Sequence, residues 1–193
     1  MTIHALLDFA ALAIGSVYAT IPLFWLTVHP LIKRWRAAGR RAYAALVPLW
    51  FVYALVTFGI GWRFRHVHLY VSWMAWVPAV LFLLMGAVLY QAGRQRFESA
   101  KIVGLAELEP AKHAQELITG GIRARVRHPI YLGHFCELFG WTLGTGSLAV
   151  AGLAAFYLIS GALMMRREDA ELEERFGEAF RQYRARVPGF LPK

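Results

Sequence analysis

The chain has 193 residues, 58% of them hydrophobic and 15% aromatic, and only 17% charged. Soluble domains run at about 45–50% apolar and about 25% charged residues, so this composition is that of a membrane protein, and the length leaves no room for an appended soluble catalytic domain. The lone cysteine, Cys136, excludes an intramolecular disulfide and a multi-cysteine metal site, and the formal net charge of +9 makes the placement of the basic residues informative.

Five apolar stretches follow in chain order. Ala5–Val28 is long enough to span a bilayer and carries Pro22, which kinks a helix. It is too long for the core of a signal peptide, and is expected to be a retained first helix. Ala42–Trp62 and Leu69–Leu89 have spanning length. Ile130–Leu143 and Leu148–Met165 come next, joined by Gly144-Thr145-Gly146-Ser147, which reads as a tight hairpin turn. Fourteen helical residues rise only about 21 Å against a hydrocarbon core of about 30 Å, so the fourth span thins the bilayer or starts earlier. The tail from Arg166 reads as a charged helix threaded by Leu172, Phe176 and Phe180.

Alternate connections collect the basic residues. Segments 29–41, 90–129 and 166–193 hold 19 Lys and Arg, whereas 63–68 and 144–147 hold two. The positive-inside rule then places the N-terminus outside and the C-terminus in the cytoplasm. The expected fold is all-α: a polytopic membrane protein of about five transmembrane helices, with a helical hairpin of spans 4 and 5 and a cytoplasmic C-terminal helix. It forms one membrane domain, 1–193, in which 1–89 supply three spans and 90–193 a cofactor-binding loop, the hairpin and the tail. The membrane is expected to be the inner or plasma membrane of a bacterium. Topology accounts for the charge, so no nucleic-acid partner is implied.

The chemistry gathers around the fourth span. Pro129 suits a first helical turn, which puts His128 at the mouth of the span and Tyr131 half a turn inside, beside free backbone N–H groups. An interfacial Arg/His/Tyr anchor is the plain alternative. His134 and Glu137 continue from Tyr131 at i, i+3 spacing on one face. Ionisable residues inside an apolar helix are costly and point to function, with a polar contact to a neighbouring helix as the alternative. Cys136 lies on another side and reads as packing. Glu168, at the exit of the fifth span, is placed to meet His128 in one cytoplasmic pocket, and Glu171 to pair with Arg175 along the tail.

The run Arg127-His128-Pro129-Ile130-Tyr131-Leu132-Gly133, followed after the hairpin by Glu168-Asp169, Leu172, Phe176-Gly177, Tyr183, Val187-Pro188 and Pro192, resembles the membrane methyltransferases. These are the isoprenylcysteine carboxyl methyltransferases and phospholipid N-methyltransferases, and the resemblance covers roughly residues 113–193. It implies S-adenosyl-L-methionine as methyl donor, held on the cytoplasmic side. The family's cofactor contacts fall on Gln115, Glu116, Leu117 and Ile118, on His128, Pro129, Ile130 and Tyr131, and on Glu168. Arg127 is placed either to hold the cofactor carboxylate or to anchor the helix at the headgroups. Arg123 stands where the family has a tyrosine, and Gln115 where a histidine is common. Met164 occupies the position of the arginine that orients the substrate carboxylate in isoprenylcysteine enzymes; Arg166 and Arg167 lie within a turn of it, and Arg167 is the candidate for that part. The acceptor is therefore expected to be a lipophilic molecule from the bilayer, prenylcysteine-like or another lipid or small amphiphile.

Direct displacement at a sulfonium methyl needs chiefly alignment and exclusion of water. A carboxylate acceptor needs no base, whereas an amine or thiol would lose its proton to Glu137 or His134. No metal is implied, because His128, His134 and Glu137 lack a third residue at ligand spacing. Two alternatives stand beside methyl transfer. One is a nicotinamide-dependent reductase like the membrane sterol reductases, disfavoured by Ile130 and His134 where those enzymes have asparagine and glutamate. The other is a non-catalytic membrane scaffold.

Overall fold

A computed structural model of the chain describes residues 2–95, Leu108 and residues 116–191. Those residues form α-helices, short 3-10 turns and connecting loops, with one isolated bridge between His68 and Ser147. The helices are α1 (Ile3–Val28), α2 (Ile32–Ala38), α3 (Tyr43–Trp62), α4 (Trp76–Arg94), α5 (Pro129–Thr145), α6 (Leu148–Phe176) and α7 (Glu178–Arg186). By length and composition, three helical stretches among the described residues can cross a membrane: Ile3–Trp62, which contains α1 to α3, then Trp73–Arg94 and Leu148–Phe176. Their outward faces carry Leu55, Ile60, Val77, Leu81 and Val88, all exposed, as lipid-facing helices do. Buried hydroxyls return to the backbone within each helix, Ser16 to the Leu12 carbonyl at 2.8 Å and Ser160 to that of Phe156 at 2.8 Å.

Two packing seams hold the bundle. On α4, Ala79, Gly86 and Gly93 recur every seven residues against Gly133 and Gly140 of α5, so the two backbones touch. A Cβ at Gly133 would fall 2.9 Å from both the Gly86 carbonyl oxygen and the Tyr90 amide nitrogen. Such small-residue seams bring helices together where the hydrophobic effect gives no push. The second seam joins α1 to α6 through Leu12, Ala19, Leu153, Ala154 and Tyr157, with Leu138 of α5 in the same cluster.

Three expectations change. The third span starts at Trp73, with α4 itself from Trp76, rather than at Leu69, because the backbone near Leu69 bonds the hairpin instead of a helix. Leu69 N–H donates to the Gly146 carbonyl at 2.8 Å, and Leu148 N–H to that of Val67 at 3.0 Å. Second, α5 has 17 residues, gaining Pro129 at its start and reaching Thr145. It ends at Gly146, whose φ of 62° is left-handed and whose Cβ, if present, would lie 2.2 Å from the Tyr70 carbonyl oxygen. Third, the charged tail is not one separate helix. Nothing between Arg166 and Phe176 breaks the helix that begins at Leu148, so α6 runs through, and the break comes at Gly177, φ 54°, before α7.

Candidate functional site

Local sequence places the charged groups. Pro129 takes the first turn of α5, where a missing N–H costs nothing, and His128 is the residue before it. The 29 residues of α6 rise about 43 Å, more than the roughly 30 Å an apolar core needs, so the part beyond Met165 stands clear of the spanning segment. Glu168 and Asp169 lie there, facing His128. His128 Nε2 is 2.9 Å from Asp169 Oδ1, and Nδ1 is 3.6 Å from Glu168 Oε2. Arg127 Nη2 meets the other oxygen of Asp169 at 2.5 Å, with Nε at 3.3 Å from Oδ1. His128 is only 3% exposed and Asp169 16%, whereas Glu168 is 38% exposed.

The electrostatics follow from that geometry. Burial disfavours the imidazolium of His128, but the hydrogen bond to Asp169 and the negative charge of Glu168 outweigh it and raise the group to about 9. Burial also works against the charged forms of Glu168 and Asp169. The cationic His128 overcomes this for both, and Arg127 adds to it for Asp169, so each carboxyl lies below its ordinary range. His128 is thus a fixed cation between two carboxylates at neutral pH.

A backbone strap closes this end. Arg127 N–H donates to the Pro188 carbonyl at 2.9 Å and His128 N–H to that of Gly189 at 3.0 Å, while the Arg127 guanidinium also donates to the Val187 carbonyl. Phe190 packs against Phe135 at 5.8 Å between ring centroids. Arg123 Nη1 donates to the Gly93 carbonyl at 2.5 Å, and its own carbonyl accepts from the Tyr183 hydroxyl at 2.7 Å.

From this cluster a cavity of about 780 Å³ runs inward between the helices. Its charged end is lined by Glu116, Arg123, Arg127, His128, Glu168 and Glu171, with Leu117, Ile118, Pro129, Ile130 and Tyr131 alongside. Its other walls are aromatic and aliphatic, with Tyr18, Phe24 and Trp25 from α1, Trp50 from α3, Tyr90 from α4 and Met164 from α6. His134 lines it as well, its ring stacked with Tyr18 (4.7 Å) and with Tyr90 (5.3 Å).

The structure therefore gathers Glu116, Leu117, Ile118, Arg127, His128, Pro129, Ile130, Tyr131, His134 and Glu168 around one space. Gln115 lies outside the described residues. Glu137 is not on the wall: its stem would collide at 2.5 Å with a Cβ at Gly86, and its carboxylate interacts with Tyr18. Arg167 is exposed and also off the wall. Glu171 reaches across to His29, the residue that follows α1, with Nδ1 to Oε1 at 2.7 Å, a partner that spacing along one helix could not reveal. Sequence reasoning also gave no role to Asp169, Tyr18 or Tyr90. Asp169 had a signal in its adjacency to Glu168, whereas the tyrosines sit in apolar spans with no motif around them.

The family model described as phospholipid methyltransferase matches residues 79–179, over half of the chain. The chain is 38% identical over 81 residues to a protein-S-isoprenylcysteine O-methyltransferase of Schizosaccharomyces pombe, which covers 39% of this chain and 33% of that enzyme. It is 35% identical over 68 residues to a methanethiol S-methyltransferase of Bradyrhizobium diazoefficiens, covering 35% of this chain and 23% of that one. It is also 36% identical over 63 residues to an uncharacterized protein of Haemophilus influenzae, covering 32% of this chain and all of that one. The matched segment thus spans about a third or less of the two named enzymes. No solved structure matches.

Proposed function

The chain belongs to the phospholipid methyltransferase family, and from that premise we propose that it transfers a methyl group from S-adenosylmethionine to a lipophilic acceptor that enters from the bilayer. One observation carries this reading. A single cavity joins a charged cluster of both signs to an aromatic chamber walled by membrane helices. The family match favours this over the nicotinamide reductase and scaffold alternatives.

The donor set fits that methyl donor. Glu168, a carboxylate partly open to the cavity, suits an ammonium. The free N–H groups that follow Pro129 at the start of α5 suit a carboxylate, and His128, held by Asp169 and Glu168, keeps that helix end in place. Tyr131, its carbonyl pinned by the Tyr157 hydroxyl at 2.9 Å, offers a ring face, and Glu116, Leu117 and Ile118 close the side. When bound, the sulfonium supplies an already activated methyl group. The protein's work is then to align and to exclude water. Arg127, committed to Asp169 and Val187, shapes the pocket by holding the segment that carries His128. An acceptor that must lose a proton would find a base in His134 or, through Tyr18, in Glu137. The isoprenylcysteine and methanethiol names of the relatives bracket the range of acceptors, from large prenyl carboxylates to small thiols.

The same reading places five spans across the membrane, adding α5 and separating α1 from α3. The 19-to-2 partition of basic residues then sets the charged end of the cavity on the cytoplasmic side, with the N-terminus outside.

Calorimetric titration of S-adenosylhomocysteine into the detergent-purified protein tests the proposal. Saturable binding that is lost in both Glu168→Ala and His128→Ala is expected. A folded protein that does not bind it would sink the reading.

A further inference from the structure

Glu168 is the carboxylate that suits the methyl donor's ammonium. In an α-amino acid the ammonium and the carboxylate sit on one carbon, so whatever receives the carboxylate must stand beside Glu168. Two cations near it already serve Asp169: Arg127 Nη2 at 2.5 Å and His128 Nε2 at 2.9 Å. Arg175, seven residues beyond Glu168 on α6, lies about 10 Å further along the helix. Arg123 is the arginine whose charge acts on Glu168 directly. It is partly buried and lines the same end of the cavity.

The two groups feel each other. Burial lowers the Arg123 guanidinium from its ordinary value, and the negative charge of Glu168 works against that. In return, Arg123 joins His128 in holding the Glu168 carboxyl down. The guanidinium stays protonated at neutral pH whatever the shift.

Arg123 is also fixed in place from two sides. Its Nη1 donates to the carbonyl of Gly93, in the last turn of α4, where a cation complements the helix end. Its own carbonyl accepts from the Tyr183 hydroxyl of α7 at 2.7 Å. Gly93 abuts the start of α5, since a Cβ on it would lie 3.4 Å from the Ile130 amide nitrogen. The guanidinium is therefore held between Glu168 and the helix start that suits a carboxylate. Its planar fork of N–H groups matches the two oxygens of that group better than an ammonium would.

Building on the methyl-transfer reading, we infer that Arg123 receives the carboxylate of the methyl donor while Glu168 takes its ammonium, so that the two side chains form one clamp on the amino-acid end. The sequence marks Arg123 only as a departure from the family's tyrosine. The structure gives that departure a task.

Calorimetry on the full chain in detergent tests this with two nucleosides. S-adenosylhomocysteine carries both charged groups, whereas S-adenosyl-3-thiopropylamine keeps the ammonium and lacks the carboxylate. The unaltered chain is expected to prefer the first by roughly 10- to 100-fold, the range of a hydrogen bond to a charged group. Arg123→Gln should remove most of that preference by weakening S-adenosylhomocysteine and leaving the amine unchanged. An arginine that merely caps α4 would weaken both alike, and that result overturns the inference. So does a preference that survives the substitution, or no preference in the unaltered chain. Should Arg123→Gln fail to fold, Arg123→Lys, which keeps a donor for Gly93 but not the fork, takes its place. A reduced preference is then expected, and an undiminished one overturns the inference. Each of these failures leaves the methyl-transfer reading standing, whereas a folded chain that binds neither nucleoside defeats both.

Discussion

The two ends of the cavity are built by opposite means. At the charged end, neighbours in sequence supply the groups: Arg127 and His128 stand together, Glu168 and Asp169 stand together, and two short segments close on each other through ion pairs. At the aromatic end, Tyr18, Trp50, Tyr90 and His134 come one from each of four helices, and nothing but the packing of those helices assembles them. The first arrangement concentrates charge and tolerates little loss of a partner. The second spreads its contribution over many van der Waals contacts, so each single loss is smaller.

The largest break expected is at Asp169, which alone engages both cations. Asp169→Asn leaves Arg127 and His128 buried with weakened partners, at a cost of roughly 3–5 kcal/mol. S-adenosylhomocysteine affinity should collapse in calorimetry, while a dodecyl amphiphile added without methyl donor should still quench the fluorescence of Trp25 and Trp50, which line the cavity. Equal damage to both ligands would erase the distinction between the two ends.

Next comes a pH effect confined to the charged end. His128 has its folded value raised to about 9 from an ordinary 6.5. Its stabilisation is therefore complete below about pH 6.5 and is lost as the pH rises through about 9. Asp169, with its value lowered, stabilises above its ordinary range and loses that contribution as the solution is acidified through its folded value. Thermal unfolding midpoints should fall on the alkaline side, and His128→Gln should flatten that limb. An unchanged alkaline slope in the variant would assign the effect to other groups.

A smaller effect is expected at the aromatic end. Tyr90→Leu removes one face of the His134 stack, an interaction of roughly 0.5–1.5 kcal/mol, or about 2- to 12-fold in acceptor KM. Cofactor affinity should not move. The smallest is Glu171→Gln, which weakens a partly exposed pair with His29 and should shift the unfolding midpoint by no more than about 1 kcal/mol of stability.

Legibility in the sequence followed the same division. The Arg-His-Pro-Ile-Tyr run and the Glu168 position announced the charged end, because the chemistry depends on residue types at fixed spacing. Four helix registers were close for the same reason, since long apolar runs leave little choice. The start of the third span was not legible, because Leu69–Ser72 are as apolar as a helix and the competing bonds come from a hairpin some 75 residues away. Glu137 shares its i, i+3 spacing with His134, but only the position of α4 decides that one faces the cavity and the other meets Gly86. Nor could the seven-residue run of Ala79, Gly86 and Gly93 be matched to Gly133 and Gly140 before the two helices were known to be neighbours.

The strap from Val187 to Phe190 has a consequence for biogenesis. Its carbonyls satisfy the amides of Arg127 and His128 across some 60 residues. Synthesis runs from the N-terminus, so every helix that walls the cavity precedes Pro188 and Gly189 in the order in which the chain is made. The charged end of the cavity is thus completed last, and a chain cut short of Pro188 would keep every helix that walls the cavity yet lack the carbonyls that hold Arg127 and His128.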